Sequence, residues 1–247
     1  MQATKYIAIL ISIISFAFIQ SCSYSDSEVG GKSETGTGGS MARFTIAGDK
    51  LFTVNREMLS TFDISSDESP VYKQTTYVGR NLETIFPMED KLLLGSNSGM
   101  FIFDISKDGP PQQVSFYEHI ISCDPVVSDG KYAYVTLSNV RVSCQRAENV
   151  LQIIDIEDIK NPTLVKQYPM EGPRGLAIRN DTLWVCDNGI KLFDVSDKMN
   201  INELLHFNNI AAYDVILDKN RALVVGETGF FQYITENDTL TKLSEIK

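Results

Sequence analysis

Four aspartates stand in one repeated context: Asp63 in TFDIS, Asp104 in IFDIS, Asp155 in IIDIE and Asp194 in LFDVS. Recurring carboxylates could act as general acids and bases. Their setting argues for another role. Each closes a short apolar run and precedes a polar turn, where a carboxylate accepts the backbone N–H groups of that turn. Turn-making is therefore expected, and no catalytic residue is assigned. Two further constellations invite a chemical reading. EHIISCD places His119 near Cys123, a base beside a thiol, an option that disulfide bonding of Cys123 removes. GSNSG (Gly95–Gly99) has the outline of a nucleophile elbow, but Asn97 occupies the serine place and no helix follows. The cysteines form no paired CxxC pattern, and His119 and His206 lie far apart, so no structural metal and no cofactor are expected.

The aspartates are more informative as punctuation. They are 41, 51 and 39 residues apart, and a degenerate copy, FQYIT, puts Tyr233 another 39 residues on. Seven residues after the markers come Pro70, Pro111, Pro162, Ile201 and Leu240. Before each lie a turn and a β-rich run: GDKLFTV, EDKLLLG, DGKYAYV, NDTLWVC and DKNRALVV. Four short strands in roughly 40 residues, repeated, is the pattern of propeller blades. Several runs are apolar on consecutive residues, as suits strands covered on both faces. The expected fold is all-β: a five-bladed β-propeller of four-stranded antiparallel blades at residues 41–79, 80–121, 122–170, 171–208 and 209–247. The first unit has its own inner strand (MARFTI) and the last its own outer strand (TLTKLSEI). No strand exchange is visible, so the sequence leaves open how the ring closes, blade packing alone being one way.

The N-terminus gives an address. MQATK is followed by an apolar run from Tyr6 to Ile19, shorter than the roughly 20 residues that span a bilayer. That is the length of a secretory core. Ile19-Gln20-Ser21-Cys22 resembles a bacterial lipobox, with Cys22 as the lipidated residue; the alternative is an ordinary cleaved signal with a chance cysteine. Several acyl chains give durable anchoring where one would not. Residues 1–21 are thus read as a lipoprotein signal peptide and 22–40 as the lipidated N-terminus with a flexible Gly/Ser/Thr-rich tether. As a coil the tether would span roughly 25 Å. Ser23 after the lipidated cysteine resembles an outer-membrane destination, on either the periplasmic or the surface leaflet. Of the remaining cysteines, Cys123 and Cys144 are expected to form a disulfide pinning the insertion around SNVRVSCQRAEN to the third unit. Closing that loop would be worth roughly 3 kcal/mol. Cys186, in LWVC, reads as a buried free thiol.

GTGGSMARFTIAGDKLF, LETIFPMEDKLLLGSNSGMFIFDIS, SCDPVVSDGKYAYVTL and YDVILDKNRALVVGETG together resemble the LVIVD-repeat β-propeller lipoproteins of Gram-negative bacteria. The resemblance covers nearly all of the chain from the lipobox onward. It implies a secreted, anchored propeller and carries no catalytic residues with it.

The 247-residue chain has a formal net charge of -10, which argues against nucleic-acid binding through bulk electrostatics. A site is better sought where inner strands begin at the mouth of a central channel. Aligning the units on their second strands puts Arg43, Glu83, Asp124, Arg174 and Asp214 near matching places. They would form a mixed-charge ring, either a self-satisfied salt-bridge ring or a polar pocket for a small ligand or a partner's loop. Asp181-Thr182-Leu183 and Asp238-Thr239-Leu240 resemble O-glycosylation sites at Thr182 and Thr239. The functional expectation is a lipid-anchored, non-enzymatic binding or scaffolding module of the cell envelope, with a membrane and a protein or small ligand as partners. The alternative is an envelope enzyme, a lyase or hydrolase, at the channel mouth.

Overall fold

The runs between the repeated aspartates are strands. The computed structural model describes residues 38–66, 68–79, 81–119, 125–139, 148–236 and 239–247, and these hold twenty strands and no helix. Blade 1 comprises β1 (Phe44–Ala47), β2 (Lys50–Val54), β3 (Met58–Asp63) and β4 (Val71–Tyr77). Blade 2 comprises β5 (Leu82–Met88), β6 (Lys91–Ser96), β7 (Gly99–Asp104) and β8 (Gln112–Glu118). Blade 3 comprises β9 (Val126–Ser128), β10 (Tyr132–Leu137), β11 (Val150–Asp155) and β12 (Thr163–Pro169). Blade 4 comprises β13 (Leu176–Arg179), β14 (Thr182–Cys186), β15 (Ile190–Asp194) and β16 (Asn202–Phe207). Blade 5 comprises β17 (Ala212–Asp218), β18 (Arg221–Gly226), β19 (Gly229–Glu236) and β20 (Thr239–Ile246). Each blade is one antiparallel meander in sequence order. The chain is a five-bladed propeller, as the repeat requires.

The marker aspartates hold one register: Asp63, Asp104, Asp155 and Asp194 pair with Lys50, Lys91, Tyr132 and Thr182. In blade 5 the corresponding pair is Ile234 with Arg221, one residue beyond the Tyr233 that the sequence reading put in the aspartate place, as the ladder shifts just ahead of Asp63, Asp104, Asp155, Asp194 and Ile234 show. Each aspartate Oδ1 accepts the N–H of the residue two further on: Ser65 at 2.9 Å, Ser106 at 2.8 Å, Glu157 at 2.9 Å and Ser196 at 2.9 Å. Hydrogen bonds from the serine two residues on hold the carboxyls of Asp63, Asp104 and Asp194 below the usual range. These are turn-makers. Tyr233 takes the place of Phe103, Ile154 and Phe193, the buried residue before the marker, and packs between blades 4 and 5.

Apolar side chains fill the junctions between consecutive blades. Phe52 and Val54 meet Leu82, Ile85 and Leu94 between blades 1 and 2. Leu93, Met100 and Ile102 meet Val126, Val135 and Ile154 between blades 2 and 3. Tyr134, Leu151 and Ile153 meet Leu183, Val185 and Phe193 between blades 3 and 4. Trp184, Cys186 and Leu192 meet Val215, Ala222 and Val224 between blades 4 and 5. Each fully buried Leu, Ile or Val contributes about 1.5–3 kcal/mol. Among the described residues no such cluster joins blade 5 to blade 1.

The second strands record the same asymmetry. After their first residues, β6, β10 and β14 are buried on both faces. In β2, Phe52 and Val54 are buried while Leu51 and Thr53 are half-exposed. In β18, Ala222 and Val224 are buried, Leu223 is half-exposed and Val225 is 38% exposed. Blades 1 and 5 each leave one face incompletely covered.

Residues 38–42 stitch that seam. The Ala42 N–H donates to the Gly39 carbonyl at 3.0 Å, closing a turn. Ser40, only 1% exposed, donates its hydroxyl to Asp214 Oδ1 at 2.8 Å and accepts the Leu176 N–H at 2.8 Å. The Ile85 N–H donates to the Ala42 carbonyl at 3.0 Å. Inner strands are sheet edges with unpaired N–H groups, and this segment satisfies two of them from inside the ring. Blade packing alone therefore does not close the propeller. The packed body also takes in Ser40, which the sequence reading assigns to the tether. Cys22, Cys123 and Cys144 lie outside the described residues, so the lipidation site and the expected disulfide do too. Cys186 is a buried free thiol, as expected.

Candidate functional site

The register fixes where the five rim residues fall. Three residues beyond Lys50, Lys91, Tyr132, Thr182 and Arg221 stand Thr53, Leu94, Val135, Val185 and Val224. They pair with Phe44, Ile85, Val126, Leu176 and Val215, an apolar row. Arg43 and Asp214 stand one residue ahead of this row, and Glu83 and Arg174 stand two ahead. The five positions do not form one ring. The β5–β6 and β17–β18 ladders slip at Glu83 and at Tyr213, each an extra residue at the strand start, and these two share the place of Arg174. Asp124 lies outside the described residues.

Asp214 is turned inward and is 6% exposed. Its Oδ1 accepts the Ser40 hydroxyl and the Val215 N–H, at 2.8 and 3.0 Å, and its Oδ2 accepts the Met41 N–H at 3.2 Å. Burial pushes its carboxyl up to about 6, against the opposing pull of these hydrogen bonds. Gly39 and Gly175 flank the carboxylate so closely that a Cβ at either position would overlap its oxygens. The close approach needs glycine on both sides.

Arg174 lies over the ring of Tyr213, 4.4 Å from its centroid, a cation–π contact across the blade 4–5 junction. Together they wall a basin of about 640 Å³ where the inner strands begin, lined also by Glu171, Cys186, Asn188, Asn209 and Glu227. Behind it sits a buried ion pair. Lys191 Nζ reaches Asp187 Oδ2 and Glu171 Oε1, both at 2.9 Å. Asp187, fully buried, also accepts the Gly172 N–H at 2.7 Å. Removing one partner of such a pair is costly because the other charge stays buried. The cluster fixes Glu171, whose Oε2 also accepts from Asn188 Nδ2 at 3.0 Å. The Cys186 thiol is completely buried and burial pushes it well up, which makes it a poor nucleophile. Among the described residues no His/Cys/Asp/Glu group is placed to hold a metal ion.

A second cavity, of about 590 Å³, lies at the seam between blades 5 and 1. Its walls include Met41, Ala42, Phe44, Ile46, Ile216 and Val225, with Tyr213 and Asp214 at one side. Sequence reasoning placed no site here. Thr182 begins β14 and is half-buried in the ladder opposite Asp194, whereas Thr239 is exposed at the start of β20.

Solved structures share this fold. The chain is similar to a periplasmic gluconolactonase, PpgL, of Pseudomonas aeruginosa, with a TM-score of 0.63 at 12% identity over 81% of this chain and 67% of that one. It is similar to a putative 6-phosphogluconolactonase of Bacteroides uniformis, with a TM-score of 0.64 at 12% identity over 82% and 69%. A protein from Lactobacillus plantarum gives 0.63 at 13% identity over 80% and 67%. The matches span about two thirds of the length of those chains. Likeness at these identities shows the fold alone. No family model matches the chain, and no curated protein matches it.

Proposed function

We propose that the protein is an LVIVD-repeat lipoprotein of the cell envelope, anchored through Cys22, that acts as a non-enzymatic binding module with its site in the basin between blades 4 and 5. The reading rests on one observation. The buried acid and thiol beside the basin are withdrawn from chemistry, while its walls stay polar. Asp214 is capped on both oxygens by Ser40 and Met41, and Cys186 is buried. Arg174 is held flat against Tyr213, presenting a planar donor to an acidic or amide group of a partner. The test is binding by the native protein from membranes, wild type against Arg174→Ala. The variant is expected to lose its co-purifying partner at an unchanged melting temperature; retention of the partner sinks the basin as the site. Release of a Cys22→Ala variant from membranes tests the anchor separately.

A second reading, an envelope hydrolase, has two observations behind it. Two of the similar structures bear gluconolactonase names, and Asp214 has a carboxyl raised to about 6, a range that suits a general acid or base near neutral pH. Under this reading the protein hydrolyses a sugar lactone above the spontaneous rate and Asp214→Asn loses that activity. A rate equal to buffer for gluconolactone and its 6-phosphate removes it.

A further inference from the structure

The junction between blades 1 and 2 departs from the repeat at the end of the strands where the aspartate turns lie. Two residues before the marker, Ile102, Ile153 and Leu192 are buried against the next blade, and blade 1 has Thr61 in their place. At the bulge of the outer strand, Val114 and Val165 pack against the junction cores of blades 2 and 3, and blade 1 has Lys73. Four residues past the marker of the following blade, Ile159 packs into the junction between blades 2 and 3. Asp108 stands at that place between blades 1 and 2. Three apolar plugs are thus replaced by polar side chains at one junction, and a cavity of about 540 Å³ opens among them. That volume lies within the range of about 300–1,000 Å³ typical of small-molecule sites.

The chemistry of the lining selects among ligands. Thr61 is 3% exposed and its hydroxyl finds no partner within the protein, although buried hydroxyls are ordinarily bonded. Asp49, Asp63 and Asp108 bring carboxylates, Lys50 and Lys73 ammonium groups, and Gln74 an amide. The excess of carboxylate disfavours a phosphate. The ammonium groups disfavour a cation, and among the described residues no group of acids is placed to hold a metal ion. A zwitterion would have to break pairs already made, since Lys73 Nζ lies 3.0 Å from Asp63 Oδ2 and Lys50 Nζ 3.6 Å from Asp108 Oδ1. A hydroxyl can join such pairs without breaking them, because it donates to a carboxylate and accepts from an ammonium group at once. We propose that this cavity binds a neutral sugar ring, with one hydroxyl bonded to Thr61 at its floor and adjacent hydroxyls spanning the carboxylate and ammonium groups around it. The cavity and the basin lie at opposite ends of the strands, and neither site depends on the other.

The experiment is a ligand-observed NMR titration of the native protein with methyl glucoside, methyl galactoside and methyl mannoside, and with glycine and inorganic phosphate as charged probes. At least one glycoside is expected to bind saturably at one equivalent, and glycine and phosphate are not. Thr61→Val should weaken the glycoside about fivefold, the loss of one hydrogen bond. Its melting temperature should be unchanged or higher, because the hydroxyl removed is buried and unbonded. Thr61→Ile restores the residue that blades 2 and 3 carry and keeps a β-branched side chain in the strand; it should abolish binding. Lys73→Val, at a half-exposed position, restores the second plug and should weaken binding even if Thr61→Ile fails to fold. Arg174→Ala should leave glycoside binding unchanged. Absence of saturable glycoside binding, tighter binding of glycine or phosphate, or binding indifferent to Lys73→Val and to Thr61→Val overturns the proposal. Loss of glycoside binding in Arg174→Ala moves the sugar to the basin and overturns it as well.

Discussion

The junction between blades 1 and 2 and the seam between blades 5 and 1 are built from the same positions of the repeat, and only the first is filled. Val54 and Val225 occupy one place in the blade, four residues past Lys50 and Arg221, on the face toward the next blade. Val54 is 6% exposed against blade 2, whereas Val225 is 38% exposed. Asp214, opposite Val225, is held by the Ser40 hydroxyl. A polar clasp therefore stands where the other junctions have a core. The repeat supplies a packing surface at every blade, and among the described residues the pair at the seam is joined by the Ser40–Asp214 contact instead.

The largest way to sharpen this contrast is Leu94→Ala. It should cost about 2–5 kcal/mol in denaturant unfolding, the range for truncating a buried Leu. Ser40→Ala should come next. It strands the Leu176 N–H and removes a donor from Asp214, for a loss of about 1–3 kcal/mol by the same measurement. The third test is pH. The Asp214 carboxyl is raised from 3.8 to about 6 in the folded state, so the folded state binds its proton more tightly than the unfolded chain. Its contribution is fully present below about pH 4 and is lost as pH rises through about 6. Asp63, Asp104 and Asp194 act in the opposite sense, because their carboxyls are lowered. Their contribution is present above the unfolded value and is lost as acid protonates them. Melting temperature should therefore rise on acidifying from pH 7 to 5, and Asp214→Asn should flatten that rise. The smallest effect belongs to Val225→Ala, which should cost less than about 1 kcal/mol because its methyls are already partly in water. Equal losses from Leu94→Ala and Val225→Ala would abolish the distinction between filled junction and open seam.

The repeat made the fold legible. The marker spacing located every blade, and the aspartate turns formed as their chemistry required. The rim was only partly legible. Asp214 stood out as an acid at a strand start, but the last blade was read one residue out of register, because FQYIT has no aspartate to tell Tyr233 from Ile234 as the marker. The apolar seam was not legible at all. ALVV in β18 reads like LLLG in β6, and nothing in either run says whether a neighbouring blade covers its second face. The missing signal is geometric: it appears only once the number of blades and the angle between them are set.

The clasp also decides how the molecule meets force. Close to Gly38, where the described chain begins, Ser40 holds Asp214 of blade 5 and Leu176 of blade 4. A pull applied at Gly38 loads these bonds before it can peel any strand. Tension at that point is delivered to the seam, the junction with the least packing to resist it, and leaves the outer edges of the blades unloaded.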